Sequence, residues 1–184
     1  MFLFLVAGLA FGQDGPQIGA HSASQAAADA LRDFTGANGA FMAAGLVNSS
    51  FEKDNLASLV KYPADGIVVV NLTGSEIKQA LERSVSLYPI PNEDFLQLSG
   101  VEATFSKGAA PGQRIVNVTV GGTKLDEKRS YTIAMPESLA AGGLGYFKIW
   151  DKSKIAKTFD KATVDSVLKG KHFIDSSPRW SVVG

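Results

Sequence analysis

The clearest local pattern in the sequence is a run of β-branched residues followed by residues at helical spacing. Residues 67–70 form a continuous apolar run, which is typical of a strand covered on both faces. Thr73 and Glu76 then have the spacing of a capping box, and Leu72 and Ile77 have that of a hydrophobic staple. The pattern predicts a strand that leads directly into a helix. The residues expected to form the buried face of this helix are Ile77, Ala80, Leu81 and Val85.

Two further apolar segments precede this unit. Ser22 and Gln25 have capping-box spacing, and apolar residues then recur at helical spacing until Gly36. The sequence therefore predicts an amphipathic first helix with a stripe facing the core. Residues 41–47 are small or apolar and carry no charge, which indicates a buried strand. The residues of the helical stripe are Ala27, Ala30, Leu31 and Phe34.

The middle of the second half alternates between apolar and polar residues. Residues 95–105 read as a strand, but the phase of the alternation changes at Gly100, which favours a β-bulge there. Residues 114–120 form a second alternating strand, and Gly121 and Gly122 allow a tight hairpin after it. Antiparallel β-structure is therefore expected in this part of the chain.

A third alternating strand runs into a glycine-rich loop. Tyr131, Ile133 and Met135 lie on one face of this strand, which has to turn at Pro136. Glycine lacks a Cβ atom, so such a loop can bring its backbone close to another group. By itself this pattern is more typical of a tight connection than of a ligand site. The glycines of the loop are Gly142, Gly143 and Gly145.

A short helix is predicted at about residues 161–169, followed by an irregular tail to Gly184. Together the elements predict an α+β fold, a mixed β-sheet with flanking helices. Composition agrees with this class, since 184 residues with 45% apolar and 20% charged residues fit one globular domain. The formal net charge is zero, which argues against nucleic acid or an anionic membrane as partner. The absence of cysteine excludes disulfides and cysteine-ligated metals.

The first residues form a separate apolar run. Residues 1–12 are too few to span a bilayer, which needs about 20 apolar residues. They are interpreted as a signal peptide, with Ala10 and Gly12 as small residues at a cleavage site, and a buried N-terminal strand is the alternative. Residues 13–23 are expected to be a linker and residues 24–184 the domain. A secreted or periplasmic location follows from this interpretation.

Several spaced segments carry a resemblance to a known family. They occur in one order at residues 28–32, 68–77, 95–100, 111–114, 118–122 and 137–146. In this order they resemble the C-terminal domain of secreted and periplasmic 5'-nucleotidases of the UDP-sugar hydrolase type, from about Ser24 to Trp180. The resemblance implies a domain that positions a nucleoside. It also implies that a separate metallophosphoesterase domain binds two metals and hydrolyses the phosphate ester.

No catalytic centre of that kind is expected within this chain. The sequence contains neither an Asp-x-His nor an Asn-His-Glu motif, and its two histidines, His21 and His172, lie far apart without ligand-spaced partners. Glu76 and Glu82 are interpreted as a helix cap and a solvated charge. We therefore expect no catalytic residue, no metal site and no cofactor.

The resemblance places a nucleoside site in a cleft around the glycine loop, but several of its groups are replaced. Ser138 stands where the family has a stacking aromatic ring, and Leu144 stands where it has the aspartate that binds ribose. Residues 43–48 lack the family's arginine, and residues 62–65 lack its second ring. Tyr62 or Tyr146 could substitute for a ring or belong to the rim or core. The expected ligand-binding residues are Asn48, Asp65, Ser138, Gly142, Gly143 and Tyr146.

Three functions remain open from the sequence. The first is a non-catalytic module with a degenerate or altered site for a nucleoside or another small molecule. The second is the substrate-binding part of a nucleotide hydrolase that a separately encoded metallophosphoesterase chain completes. The third is a structural or interaction domain of the cell envelope.

Overall fold

The computed structural model describes residues 15–184, so the apolar run at residues 1–12 lies outside the described residues. The helices are α1 (Ser22–Thr35), α2 (Gly74–Ser84), α3 (Glu137–Ala140) and α4 (Val164–Leu168). The strands are β1 (Gly39–Ala43), β2 (Gly66–Thr73), β3 (Leu96–Ser99), β4 (Val101–Ser106), β5 (Ile115–Val120), β6 (Thr123–Lys124), β7 (Ser130–Pro136), β8 (Ile155–Thr163) and β9 (Trp180–Val183).

The strands form two sheets. One has the order β3-β1-β7-β2-β8 and the other the order β6-β5-β4-β9. Each sheet is mixed, because β1 runs parallel to β7 and β9 runs parallel to β4 while the other pairs are antiparallel. Helices α1 and α2 pack on these sheets through their buried faces. The predicted α+β fold with mixed sheet and flanking helices is confirmed.

The predicted unit of strand and capped helix is confirmed in detail. Strand β2 lies inside the first sheet, between β7 and β8. Thr73 caps α2: its hydroxyl accepts a hydrogen bond from the Glu76 backbone N–H at 3.2 Å, and its own N–H donates to the Glu76 carboxylate at 2.8 Å. Leu72 and Ile77 are both fully buried. The predicted face of the helix is buried as well, at Ala80, Leu81 and Val85.

The bulge predicted at Gly100 is wrong. Gly100 separates β3 from β4, and these two strands belong to different sheets. The glycine has a φ of 66°, and a Cβ atom there would lie 2.5 Å from the backbone oxygen of Asn38. The change of phase therefore marks the point where the chain leaves one sheet for the other.

Helix α1 begins differently from the prediction. Its N-cap is His21, whose side chain makes no capping bond, and Ser22 is the first helical residue. Gln25 cannot complete a capping box because its side chain accepts a hydrogen bond from the Arg179 N–H at 2.8 Å. Gly36 ends the helix in the left-handed conformation, as predicted. Phe34 is 46% exposed rather than buried, and its ring packs against Phe159 on β8 at 5.2 Å between centroids.

Three other segments differ in extent from the prediction. The buried segment 41–47 is a strand only to Ala43 and continues as a short 3₁₀ helix, Ala44–Leu46. The last helix is limited to α4, and the tail ends in β9, which pairs with β4.

The hairpin at Gly121 and Gly122 joins β5 to β6 as predicted. Glu82 is more than a solvated charge, since its carboxylate accepts the backbone N–H groups of Arg114 and Ile115 at 2.9 and 2.7 Å.

Candidate functional site

A cleft of about 620 Å³, hereafter the main cleft, lies beside the glycine loop. Its two walls are the loop 61–65 and the segment from α3 to Leu144. Most of its surface is apolar, and its apolar lining residues are Leu46, Pro63, Ala64, Leu139 and Leu144. The lining residues with charged or hydrogen-bonding side chains are Lys61, Tyr62, Asp65 and Ser138.

The first wall is held from both sides by backbone hydrogen bonds. The N–H of Lys61 donates to the Leu46 oxygen at 3.0 Å, which ties the loop to the end of the buried segment after β1. On the other side, the first N–H groups of α4 donate to the oxygens of Asp65 and Pro63 at 2.9 and 3.1 Å. The Tyr62 side chain projects from this fixed loop and is 58% exposed. The loop therefore presents an aromatic ring at the cleft.

A carboxylate and a hydroxyl connect the two walls. The Ser138 hydroxyl donates to one carboxylate oxygen of Asp65 at 2.5 Å, and the Ser138 N–H donates to the other at 3.2 Å. The two residues are 73 positions apart in the sequence. Asp65 thus bonds an N–H in the first turn of α3, a group that has no partner within the helix. The pair gives the cleft both a hydrogen-bond acceptor and a hydroxyl.

The glycines of the second wall approach the protein's own backbone. Gly142 has a φ of 89°, and a Cβ atom there would lie 2.8 Å from the Cα of Phe147. A Cβ atom at Gly143 would lie 2.6 Å from the Ser138 oxygen. Leu144, which lines the cleft, has a φ of 54° in the left-handed region that non-glycine residues seldom occupy. Close packing of the loop on itself therefore explains Gly142 and Gly143 without a ligand.

Tyr146 forms part of the core behind the cleft. Its ring is fully buried and stacks on Trp150, with 4.5 Å between centroids and an angle of 4°. Its hydroxyl donates to the Asp94 backbone oxygen at 2.6 Å, and burial raises the pKa of Tyr146 well above its usual value. Trp150 in turn donates its indole N–H to the Leu139 oxygen at 2.8 Å, in α3. This aromatic stack supports the wall that carries Ser138.

The structure brings together three of the six predicted ligand-binding residues. Asp65, Ser138 and Gly143 line the main cleft, whereas Asn48, Gly142 and Tyr146 do not. The Asn48 amide instead donates to the Ser58 oxygen at 3.0 Å and to the Val60 oxygen at 3.3 Å. The ligand-binding role of the three lining residues remains a prediction.

Sequence reasoning missed one charged residue of the main cleft. Lys61 lines it and takes part in no ion pair among residues 15–184. It immediately precedes residues 62–65, which lack the family's second ring, and no sequence signal distinguishes it from other surface lysines. Within the part of the chain that the structure describes, no three His, Cys, Asp or Glu side chains are grouped so as to hold a metal ion. His21 is half-buried, and burial lowers its pKa. No helix between residues 15 and 184 is long and apolar enough to cross a membrane.

Comparison with known proteins agrees with the fold. Residues 9–151 match the family described as 5'-nucleotidase, C-terminal domain. A 5'-nucleotidase-related protein of Glossina morsitans morsitans is 32% identical over 62% of this chain and 23% of its own length. A snake venom 5'-nucleotidase of Naja atra is 30% identical over 44% of this chain and 17% of its own length.

A solved structure shares the fold over almost the whole chain. The 5'-nucleotidase precursor of Thermus thermophilus superposes with a TM-score of 0.77 at 20% identity, over 94% of this chain and 38% of that one. The chain therefore spans about a fifth of the curated relatives and less than half of this structure. Since the family match includes well over half of the 184 residues, the chain belongs to the 5'-nucleotidase C-terminal domain family.

Proposed function

We propose that this chain is a non-catalytic nucleotidase-like module whose main cleft binds a nucleoside or a similar small molecule weakly. The observation that carries the proposal is the main cleft itself, because an exposed aromatic ring and a carboxylate face one apolar depression there. A site of about 620 Å³ lies within the range of about 300–1,000 Å³ typical of small-molecule pockets. Its mixture of apolar walls and few polar groups is also typical of such pockets.

The chemistry of the lining residues suits a flat ring that carries hydroxyl groups. Tyr62 offers a face on which an aromatic base stacks. The Asp65 carboxylate accepts hydrogen bonds from ligand hydroxyls, and the Ser138 hydroxyl, whose proton is donated to Asp65, accepts one as well. Lys61 attracts an anionic group at the same cleft. All four groups come from two short segments, so they act on one ligand together.

Low affinity follows from the two replaced positions. Ser138 and Leu144 provide neither the stacking ring nor the ribose-binding carboxylate that the family resemblance implies at these two positions. Stacking of a base on an aromatic side chain contributes about 1–3 kcal/mol, and a hydrogen bond to a charged group contributes about 1.5–3 kcal/mol. The absence of both weakens binding by about 100-fold or more.

Removal of the Tyr62 ring tests the proposed site. We expect Tyr62→Ala to weaken adenosine binding about tenfold, because a stacking contribution of about 1–3 kcal/mol is lost. Isothermal titration calorimetry measures this, and Phe147→Ala is the matched control. Phe147 is 64% exposed but does not line the main cleft, so its removal should leave binding unchanged. Equal affinity of wild type and Tyr62→Ala would contradict the assignment of Tyr62.

A second candidate is the substrate-binding part of a nucleotide hydrolase. It is favoured by the match to the 5'-nucleotidase C-terminal domain, because this chain covers only a part of the length of the related nucleotidase. In this proposal a separate metallophosphoesterase chain supplies the metals, and the main cleft supplies the nucleoside site. An adjacent gene for such a chain would support it. The module then acts in nucleotide catabolism.

The purified chain alone is expected to release no phosphate from AMP or UDP-glucose, even with added divalent metal ions. A two-metal hydrolase needs several carboxylate and imidazole ligands around its ions, and the sequence has two histidines without ligand-spaced partners. A colorimetric phosphate assay with added Mg²⁺, Mn²⁺ or Zn²⁺ checks this. Robust release by protein that is free of contaminating phosphatase would overturn the non-catalytic assignment.

We also propose a location outside the cytoplasm, secreted or periplasmic. The apolar run at residues 1–12 supports it, with the interpretation as a signal peptide. A venom enzyme among the relatives gives further support. If neither ligand binding nor a partner hydrolase is found, a structural role in the cell envelope is the remaining proposal.

A further inference from the structure

A second cavity, hereafter the arginine cavity, is built from other parts of the fold than the main cleft. It has a volume of about 440 Å³ and sits where the end of α1 meets the β5-β6 hairpin and the beginning of β7. Its lining residues differ entirely from those of the main cleft. The polar side chains along it are Arg32, Asn38, Thr123, Arg129 and Tyr131.

Arg32 is held in place without being neutralised. Its Nε–H donates to the backbone oxygen of Asn38 at 3.3 Å. The guanidinium packs against Gly100, where a Cβ atom would lie 2.6 Å from Nε. Arg32 forms no ion pair with any residue from 15 to 184. The glycine that switches the chain between the sheets therefore also makes room for this cation.

Arg129 is restrained by an aromatic ring. Its guanidinium carbon lies 5.2 Å from the centre of the Tyr131 ring, within the range of a cation–π interaction. The ring is itself fixed, because it is buried and its hydroxyl accepts a hydrogen bond from the Asp126 N–H at 3.0 Å. Arg129, too, forms no ion pair within the described part of the chain.

Asn38 adds hydrogen-bond donors to the arginine cavity. Asn38 uses its side-chain oxygen to accept from the N–H and the hydroxyl of Thr132, each at 3.0 Å. This orientation leaves the Asn38 amide N–H groups without a bond to residues 15–184. No aspartate or glutamate of the described residues lines the cavity, so its two arginines give it a formal charge of +2.

A comparison within the molecule shows that this arrangement is not general. A third cavity, of about 420 Å³, is lined by the cations Lys78, Arg83 and Lys148 and by the carboxylate residue Glu82. There, however, Lys78 is paired with Glu127 and Arg83 with Asp94, each at 2.7 Å. Those carboxylates compete with an anion for Lys78 and Arg83, and the third cation, Lys148, shares the cavity with the carboxylate of Glu82. The arginine cavity is different because its guanidinium groups have no such partners among residues 15–184.

We propose that the arginine cavity is a binding site for an oxyanion of the phosphate or sulfate class. A guanidinium group presents planar pairs of N–H donors that match the oxygens of such an anion. The guanidinium groups of Arg32 and Arg129 and the Asn38 amide supply several donors to one cavity. The proposal is independent of the main cleft and of the function proposed for it.

The experiment is a calorimetric titration of the full chain with inorganic phosphate, sulfate and glycerol phosphate at low ionic strength. We expect saturable binding of the anions to the wild type. Arg32→Gln and Arg129→Gln should each weaken it at least about tenfold, because each removes charge-assisted hydrogen bonds. Asn38→Asp is a third variant, since it keeps the acceptor for Thr132 but adds a negative charge, and it should weaken binding similarly. Circular dichroism verifies that each variant is folded.

Two controls locate the site. Lys128→Gln removes the same charge beside Arg129 but does not line the arginine cavity, and Lys61→Gln removes the cation of the main cleft. Unchanged binding in both controls, with loss in the three cavity variants, supports the proposal. Tighter binding of glycerol phosphate than of inorganic phosphate would identify a phosphate ester as the ligand class, and tighter binding of inorganic phosphate would identify the free anion. No saturable binding, loss in Lys61→Gln, or equal loss in Lys128→Gln and the arginine variants would overturn it.

Discussion

Replacing Trp150 with alanine is expected to destabilise the domain by about 3–5 kcal/mol, as for other large aromatic residues removed from a protein core. Trp150 is 2% exposed, stacks on Tyr146 and lies 6.4 Å from the Phe41 ring. Its indole N–H also donates to the Leu139 oxygen in α3, so alanine leaves a cavity and removes a hydrogen bond from an oxygen that then keeps the Gly142 N–H as donor. Since α3 carries Ser138, the same change should loosen one wall of the main cleft.

Urea denaturation followed by circular dichroism measures the loss of stability. Phe147→Ala is the matched control, because this nearby aromatic residue is largely exposed and its removal should change the free energy of unfolding by about 0.5 kcal/mol or less. Trp150→Phe keeps an aromatic stack but loses the hydrogen bond, so it should fall between alanine and wild type. A Trp150→Ala protein as stable as Phe147→Ala would mean that the stack does not support the fold.

The parts of the fold that depend on neighbouring residues could be predicted from the sequence. The capping box at Thr73 and Glu76 and the helix end at Gly36 involve groups within a few positions of each other. Their chemistry is visible in the residues themselves, because a cap needs only a side-chain oxygen and a nearby N–H. The β-branched strand before Thr73 was predictable for the same reason.

Features that depend on distant partners could not be predicted. Gln25 has capping-box spacing, but its side chain is used by Arg179, 154 positions away. Gly100 looks like a bulge because alternation alone does not say which sheet a strand joins. The sequence does not distinguish the buried ring of Tyr146 from the exposed ring of Tyr62, because tertiary packing alone determines which ring is buried.

The candidate site was predicted in part, and the family resemblance was what made this possible. Nothing in the spacing of Asp65 and Ser138 relates them, yet their side chains meet at 2.5 Å. The glycines of the loop are weaker evidence for a ligand site than the resemblance suggested. Gly142 and Gly143 are required by contacts with Phe147 and with the Ser138 backbone, so they would be needed even if no ligand were bound.

Restoring the two replaced groups of the main cleft should strengthen nucleoside binding. Both Ser138 and Leu144 line the cleft, so Ser138→Phe with Leu144→Asp adds a ring and a carboxylate on its surface. Position 144 accepts the change well, because its φ of 54° is better tolerated by aspartate than by leucine. The Ser138 N–H keeps its bond to Asp65, while loss of the hydroxyl frees the second carboxylate oxygen for a ligand.

The expected gain for adenosine is at least about 100-fold, from stacking worth about 1–3 kcal/mol and a charge-assisted hydrogen bond worth about 1.5–3 kcal/mol. Calorimetry compares the double variant with Ser138→Ala combined with Leu144→Asn. This control also suits the left-handed backbone but adds neither a ring nor a charge, so it should bind no better than wild type. Tight binding by the unmodified protein would show that Tyr62 and Asp65 already replace the missing groups. If the double variant folds but gains no affinity, the main cleft is not the nucleoside site, and the assignment of Ser138 and Leu144 to the positions of the ring and the carboxylate is wrong.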